Sequence, residues 1–230
     1  MARIADGDAT PPPGLREIKK ARTRQAISDI ATRLFAQRGF DEVTVAEIAA
    51  AAEVSVKTVF NYFASKEDLF FDRADELSRG LVRTIAERPA GTTVTAALRA
   101  LLTENLVPFP GAGWQRFRDP QGYEDFRAFV RTEHAAPALG ARRLVLSAGL
   151  AGTLAPVFAR EFGLPSDDPR PAVYAAMFMA VMALRERILS ANVLEGVAAR
   201  TVERRVRAAM DDAFARLERA FADLDRPAAG

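Results

Sequence analysis

Apolar residues along this chain recur at three- and four-residue spacing almost throughout, the period of helices, while the alternation of half-buried strands is nearly absent. Ile27, Ile30, Ala31, Leu34 and Phe35 mark a first amphipathic helix. Arg38-Gly39-Phe40 ends it, with a cation in the last turn and a glycine suited to the left-handed position just beyond. Thr44-Val45-Ala46-Glu47 is a capping box, in which hydroxyl and carboxylate satisfy each other's backbone donors. It opens a second helix along Val45, Ile48, Ala49 and Ala52. Ser55 then caps a third, whose apolar positions Val56, Val59, Phe60 and Phe63 are assigned to the core. Ser65-Lys66-Glu67-Asp68 repeats the capping pattern and predicts one long helix, striped by Phe70, Ala74, Leu77, Leu81 and Ile85, that runs to Arg88-Pro89.

Beyond it, Leu98, Leu101 and Leu102 belong to a helix closed by VPFPGAG. Aromatics crowd residues 114–129, and Pro137 opens a helix toward Gly163. The Pro-rich stretch LPSDDPRP (164–171) precedes two long helices, roughly 170–192 and 196–225. The expected fold is all-α: a three-helix unit at 15–64, a larger helical body at 65–225, and disordered tails at 1–14 and 226–230.

Composition narrows the chemistry. The 230 residues are 49% apolar and 27% charged, ordinary for a folded chain, and the net charge of +2 requires any anion-binding surface to be local. With no cysteine and one histidine, disulfides, thiolate metal sites, thiol catalysis and His clusters are excluded. No run approaches an uninterrupted membrane span, and the polar N-terminus lacks the apolar core of a signal peptide, so the expected setting is cytoplasmic, without a membrane partner.

Two features then stand out. On the third helix, opposite its apolar positions, lie Lys57, Thr58, Asn61 and Tyr62, four hydrogen-bonding side chains with no acid among them. Between residues 16 and 38, Arg16, Lys19, Lys20, Arg22, Arg24, Arg33 and Arg38 face only Glu17 and Asp29, a surplus able to neutralise phosphates. A capped short helix, a tight turn and a second short helix is the order of a helix-turn-helix reader, whose second helix enters the major groove.

Residues 23–70 strongly resemble the DNA-binding domain of TetR-family transcriptional regulators. The resemblance rests on ATRLFAQRGF, TVAEIA, the VS-x-x-T turn, NYF and SKEDL in that order. It implies that Thr44 bonds a phosphate as well as capping its helix, the other reading being a plain cap. It implies that Thr58 and Tyr62 hold the backbone beside the groove and that Lys66 pairs with a further phosphate. Lys57 and Asn61 are the side chains expected at base edges, and Arg22 and Arg24 join the expected contacts from the basic stretch. The chain departs from the family where Lys57 replaces a frequent glycine and Phe60 a common tyrosine, which bears on which operator is read.

The resemblance further implies a homodimer on a palindromic operator, with a small, largely apolar effector that releases it. The final helix carries a stripe of Val206, Met210, Phe214, Leu217 and Phe221, and its predecessor one of Val173, Met177, Val181, Leu184 and Ile188. Either stripe would serve a dimer interface or packing within one chain. Trp114, Phe117, Tyr123, Phe126 and Phe129, with His134, Tyr174, Phe178 and Met182, are the candidate pocket or else core. No cofactor or metal is expected. Asp167-Asp168 and Asp211-Asp212 lack the third carboxylate of a diphosphate-metal helix, so an enzyme is not expected. The alternative reading is a DNA-binding architectural protein without a ligand.

Overall fold

The computed structural model describes residues 14–105 and 113–227. The expected tails therefore fall largely, and the VPFPGAG closure almost wholly, outside the described residues. Within them every regular element is a helix: α1 (Leu15–Arg38), α2 (Val45–Ala51), α3 (Val56–Tyr62), α4 (Lys66–Phe70), α5 (Ala74–Ala86), α6 (Val94–Glu104), α7 (Trp114–Arg118), α8 (Pro120–Ala135), α9 (Pro137–Glu161), α10 (Arg170–Leu194) and α11 (Ala199–Ala220).

α2, α3 and α4 start where short polar side chains can cap them. Thr44 Oγ1 accepts the Glu47 N–H at 3.2 Å while the Thr44 N–H donates to Glu47 Oε2 at 2.8 Å. Ser55 and Ser65 accept the N–H groups of Thr58 and Asp68 in the same way. α1 stops at Gly39, whose φ of 88° suits glycine and little else.

Two cores result. Ile27, Ala31, Phe35, Phe40, Ile48, Val59, Phe63, Leu69 and Phe70 pack the N-terminal unit, and Ala136 and Leu139 from the α8–α9 junction join them. The unit is thus closed by residues far along the chain. Phe129 packs against both cores and stacks on Phe70 with 4.6 Å between ring centroids. Further ties are the ion pair of Arg142 on α9 with Asp68 on α4 at 2.6 Å and the hydroxyl of Thr132 donating to Phe35 O at 3.5 Å.

The expected long helix from Ser65 is two helices. Phe71–Arg73 forms a turn between α4 and α5, and two α1 side chains hold it. Arg24 Nη2 donates to Asp72 O at 3.1 Å, and the Ser28 hydroxyl donates to the Asp72 carboxylate. The apolar stripe is continuous across the break, so the interruption comes from tertiary partners and not from local sequence.

In the body, α10 packs against α8, α9 and α11, and α11 also lies on α6 and α7. The start of α6 is locked by a residue that follows α11. Asp225 is buried and accepts the N–H groups of Val94 and Thr95, each at 2.8 Å, at the first turn of α6. The Thr95 hydroxyl in turn bonds that of Tyr174 at 2.6 Å.

Candidate functional site

On α3 the structure divides the apolar positions differently from the expectation. Val59 and Phe63 are buried, but Val56 is 39% and Phe60 50% exposed. A seven-residue helix on a small unit has only one side to bury, and α1 and α2 take the side of Val59. Phe60 therefore stands outside beside the exposed Lys57 and Asn61. The departure from the common tyrosine thus leaves an apolar ring exposed on this face.

The other candidate DNA contacts are more constrained. The Thr44 hydroxyl is engaged by Glu47 and lies 2.8 Å from its Oε2. These bonds and the Arg38–Glu47 ion pair hold the Glu47 carboxyl near a pKa of about 2. Thr58 Oγ1 and Ser55 Oγ are hydrogen-bonded to each other at 2.8 Å, and Tyr62 is half-buried against the unit's core. Lys66 Nζ sits 4.3 Å from the centre of the Phe40 ring. Arg22 is exposed. Arg24 is committed inward, to Asp72 O and to the face of Phe63 at 4.5 Å.

Eight of the nine candidate pocket residues are core or packed on it, Phe129 and Met182 among them. Trp114, Phe117, Phe126, Tyr174 and Phe178 are buried in one cluster, and Tyr123 packs against it. Their polar handles are already used: Trp114 Nε1 donates to Thr103 O at 2.7 Å, and the Tyr123 hydroxyl donates to Val197 O at 2.7 Å. The rings fasten α7 and α8 to the rest of the body. Phe129, His134 and Met182 do line a cavity, of about 700 Å³, and it lies elsewhere. Its walls come from the α4–α5 turn (Phe70, Phe71, Asp72), from α8, from Leu144 and Leu150 on α9, and from Met179 and Met182 on α10. His134 is exposed at this site and its Nδ1 lies 3.0 Å from Val130 O.

The candidate interface residues of α11 also turn inward. Val206, Met210, Phe214, Leu217 and Phe221 are buried within the single chain. The apolar side chains left outside are on α9 and α10: Leu144 at 72%, Val145 at 59%, Val173 at 50% and Met177 at 38% exposure. The signal for this was present, because residues 171–184 of α10 are apolar on every face, as a helix segment with partners on all sides must be. α9 is long and apolar enough by length and composition to cross a membrane, yet it carries Arg142 and Arg143, ion-paired to Asp68 and Glu133. The aspartate diads are consumed by arginines: Asp168 by Arg170, Asp211 by Arg99, and Asp212 by Arg216.

A capped helix pair with an exposed polar second helix, carried on a larger helical body, defines a helix-turn-helix DNA-binding regulator. Residues 27–72 match the family described as bacterial regulatory proteins, tetR family. The chain is 32% identical over 176 residues to the HTH-type transcriptional regulator TcmR of Streptomyces glaucescens, covering 74% of each chain. It is 34% identical over 99 residues to the HTH-type transcriptional repressor KstR2 of Rhodococcus jostii, covering 41% of this chain and 47% of that one. In three dimensions it is similar to Salmonella enterica GusR, 21% identical, with a TM-score of 0.47 over 84% of this chain and 96% of that one. The chain belongs to the tetR family of bacterial transcriptional regulators, which are DNA-binding proteins and not enzymes.

Proposed function

We propose that the chain is a cytoplasmic, dimeric repressor, released from a palindromic operator by a largely apolar small molecule held in the cavity between α4–α5, α8, α9 and α10. Its DNA-binding unit is 15–64, with α3 in the major groove and Lys57, Phe60 and Asn61 toward base edges. Thr44, Thr58, Tyr62, Lys66 and Arg22 lie against the phosphates. Arg24 acts from behind, through Asp72. Repression is what the name of the relative KstR2 states of that protein, and it is extended here to this chain.

The observation that carries the reading is the double use of one turn. Phe70, Phe71 and Asp72 form a wall of the cavity, and Asp72 is bonded to Ser28 and Arg24 of α1. A molecule that displaces this wall pulls on α1, and with it on α3. Two recognition helices of a dimer must lie about 34–36 Å apart, one turn of duplex, so a modest tilt removes both from register.

The dimer is formed by α9 and α10, whose exposed Leu144, Val145, Val173 and Met177 a second copy would cover. Selection from a random duplex library should enrich an inverted repeat. A metabolite drawn from the products of adjacent genes should then lower operator affinity, and by linkage bind the DNA-bound form less tightly by the same factor. Enrichment of no inverted repeat, or release by a compound that protects only residues 15–63 from hydrogen exchange, would overturn the proposal.

A further inference from the structure

The cavity wall is mostly apolar, yet a carboxylate stands inside it. Glu133 on α8 is 4% exposed, and its Oε1 accepts no hydrogen bond. Arg143 Nε lies 3.2 Å from that oxygen, an ion pair without hydrogen-bond alignment, and the arginine side chain is itself well exposed. Glu186 lines the same cavity from α10 and takes a hydrogen bond from the Ser190 hydroxyl at 3.0 Å. Burial pushes the Glu133 carboxyl above the ordinary glutamate range, and the like charge of Glu186 adds to this against the pull of Arg143. A buried acceptor is normally satisfied, and one left open inside a cavity needs a partner from outside the chain.

We infer that the cavity selects a largely apolar molecule bearing a hydrogen-bond donor, a hydroxyl or a protonated amine, and that Glu133 Oε1 is the acceptor that orients it. The inference rests on the reading of this cavity as the effector site and adds the chemical class of the effector. A wholly apolar ligand would expel water and leave Glu133 with an unfilled acceptor in a dry site. An anion placed at Glu133 Oε1 would set acceptor against acceptor there, whatever the arginines elsewhere in the lining contribute. Arg73, Arg185 and Arg187 line the same cavity, and the Arg185 guanidinium donates to Leu102 O at 3.2 Å and Asn105 O at 2.9 Å. The apolar part of the molecule rests on Phe70, Phe129, Leu150 and Met182.

Four fluorescent probes of one shape separate the possibilities: 1-methylpyrene, 1-pyrenemethanol, 1-pyrenemethylammonium and 1-pyrenecarboxylate, titrated by anisotropy against the full chain. A hydrogen bond to a carboxylate in such a site is expected to give the alcohol and the ammonium roughly tenfold tighter binding than the methyl compound. The carboxylate probe should bind weakest. Glu133→Leu should bring alcohol, ammonium and methyl probes to one affinity. Glu133→Gln, which keeps the shape if the leucine variant folds poorly, should cost the ammonium more than the alcohol. Arg143→Leu should favour the ammonium over the alcohol and so distinguish the two donors.

Equal affinity of the methyl compound and the alcohol for the natural chain overturns this inference and leaves the effector cavity standing. Tightest binding by the carboxylate assigns the site to Arg143 and overturns it as well. Binding of none of the four to a chain that melts cooperatively removes the cavity as an effector site, and the inference with it.

Discussion

Met177→Glu separates the two faces that could join the copies. Met177 is 38% exposed on α10, so the unburied part of its side chain accounts for about 1 kcal/mol of association per protomer if a second copy covers it. Two-fold symmetry counts that loss twice. The glutamates add more, since each carboxylate placed inside an apolar interface costs several kcal/mol unless paired. A total of at least about 4 kcal/mol corresponds to a dissociation constant weakened roughly a thousandfold. Sedimentation velocity at micromolar concentration should therefore find the variant monomeric where the natural chain is dimeric. Its helical circular dichroism should persist, because Tyr174, Phe178 and their neighbours are buried within one chain. Phe214→Ala is the opposite case. Phe214 is fully buried, and the cavity left behind should cost about 3–5 kcal/mol of folding stability while leaving the exposed face of α10 intact. A dimer undisturbed by Met177→Glu would refute the placement of the interface. So would a Phe214→Ala chain that dissociates at an unchanged melting temperature.

Other outcomes follow from the same structure. Phe60→Ala and Asn61→Ala should each relax sequence preference at a single base pair by about 1–3 kcal/mol in a library selection, whereas Lys66→Ala should weaken all sequences and lower the salt slope. Ser28→Ala, which removes one of the two α1 bonds to the α4–α5 turn, should leave operator affinity nearly intact and blunt its response to a releasing metabolite, read by anisotropy. Asp225→Ala strands two N–H groups at the start of α6 and should cost about 2–4 kcal/mol in denaturant unfolding. The folded-state pKa of Glu47 is depressed to about 2 from the ordinary 4.5, so its contribution is present above about 4.5 and is lost as pH falls toward 2. Glu47→Gln should flatten the acid dependence of stability in that window; an unchanged profile would show that the capping box does not carry it.

The features legible in the sequence were those whose partners lie within three or four residues. The caps at Thr44, Ser55 and Ser65 each close a bond inside one helical turn, and all three helices start there. Periodicity also located α9, α10 and α11, but joined α4 and α5 into one helix. It could not say what covers each stripe. Phe214 and Val173 belong to equally regular patterns, yet one faces the inside of its own chain and the other faces out. Phe60 falls on the same helical spacing as Val59 and Phe63, but a helix this short presents that side to nothing in its own unit. The break at Phe71–Arg73 was invisible because its causes, Arg24 and Ser28, lie more than forty residues away. The cavity was hidden for the same reason: its walls come from five helices, and only the fold brings Phe71, Glu133 and Met182 around one space.

The bond from Asp225 back to the first turn of α6 bears on how the molecule is made. More than half the chain is synthesised after Val94 before the carboxylate that caps its helix exists. Until then the start of α6 exposes unpaired donors, and Tyr174 lacks its Phe221 neighbour, 4.9 Å away between ring centroids. A chain cut before Phe221 and Asp225 therefore leaves the start of α6 uncapped and Tyr174 without this neighbour, so the body is unfinished at its centre. Such a product still has the residues of α1–α3, but in an open body it should be recognised and degraded before it can occupy an operator.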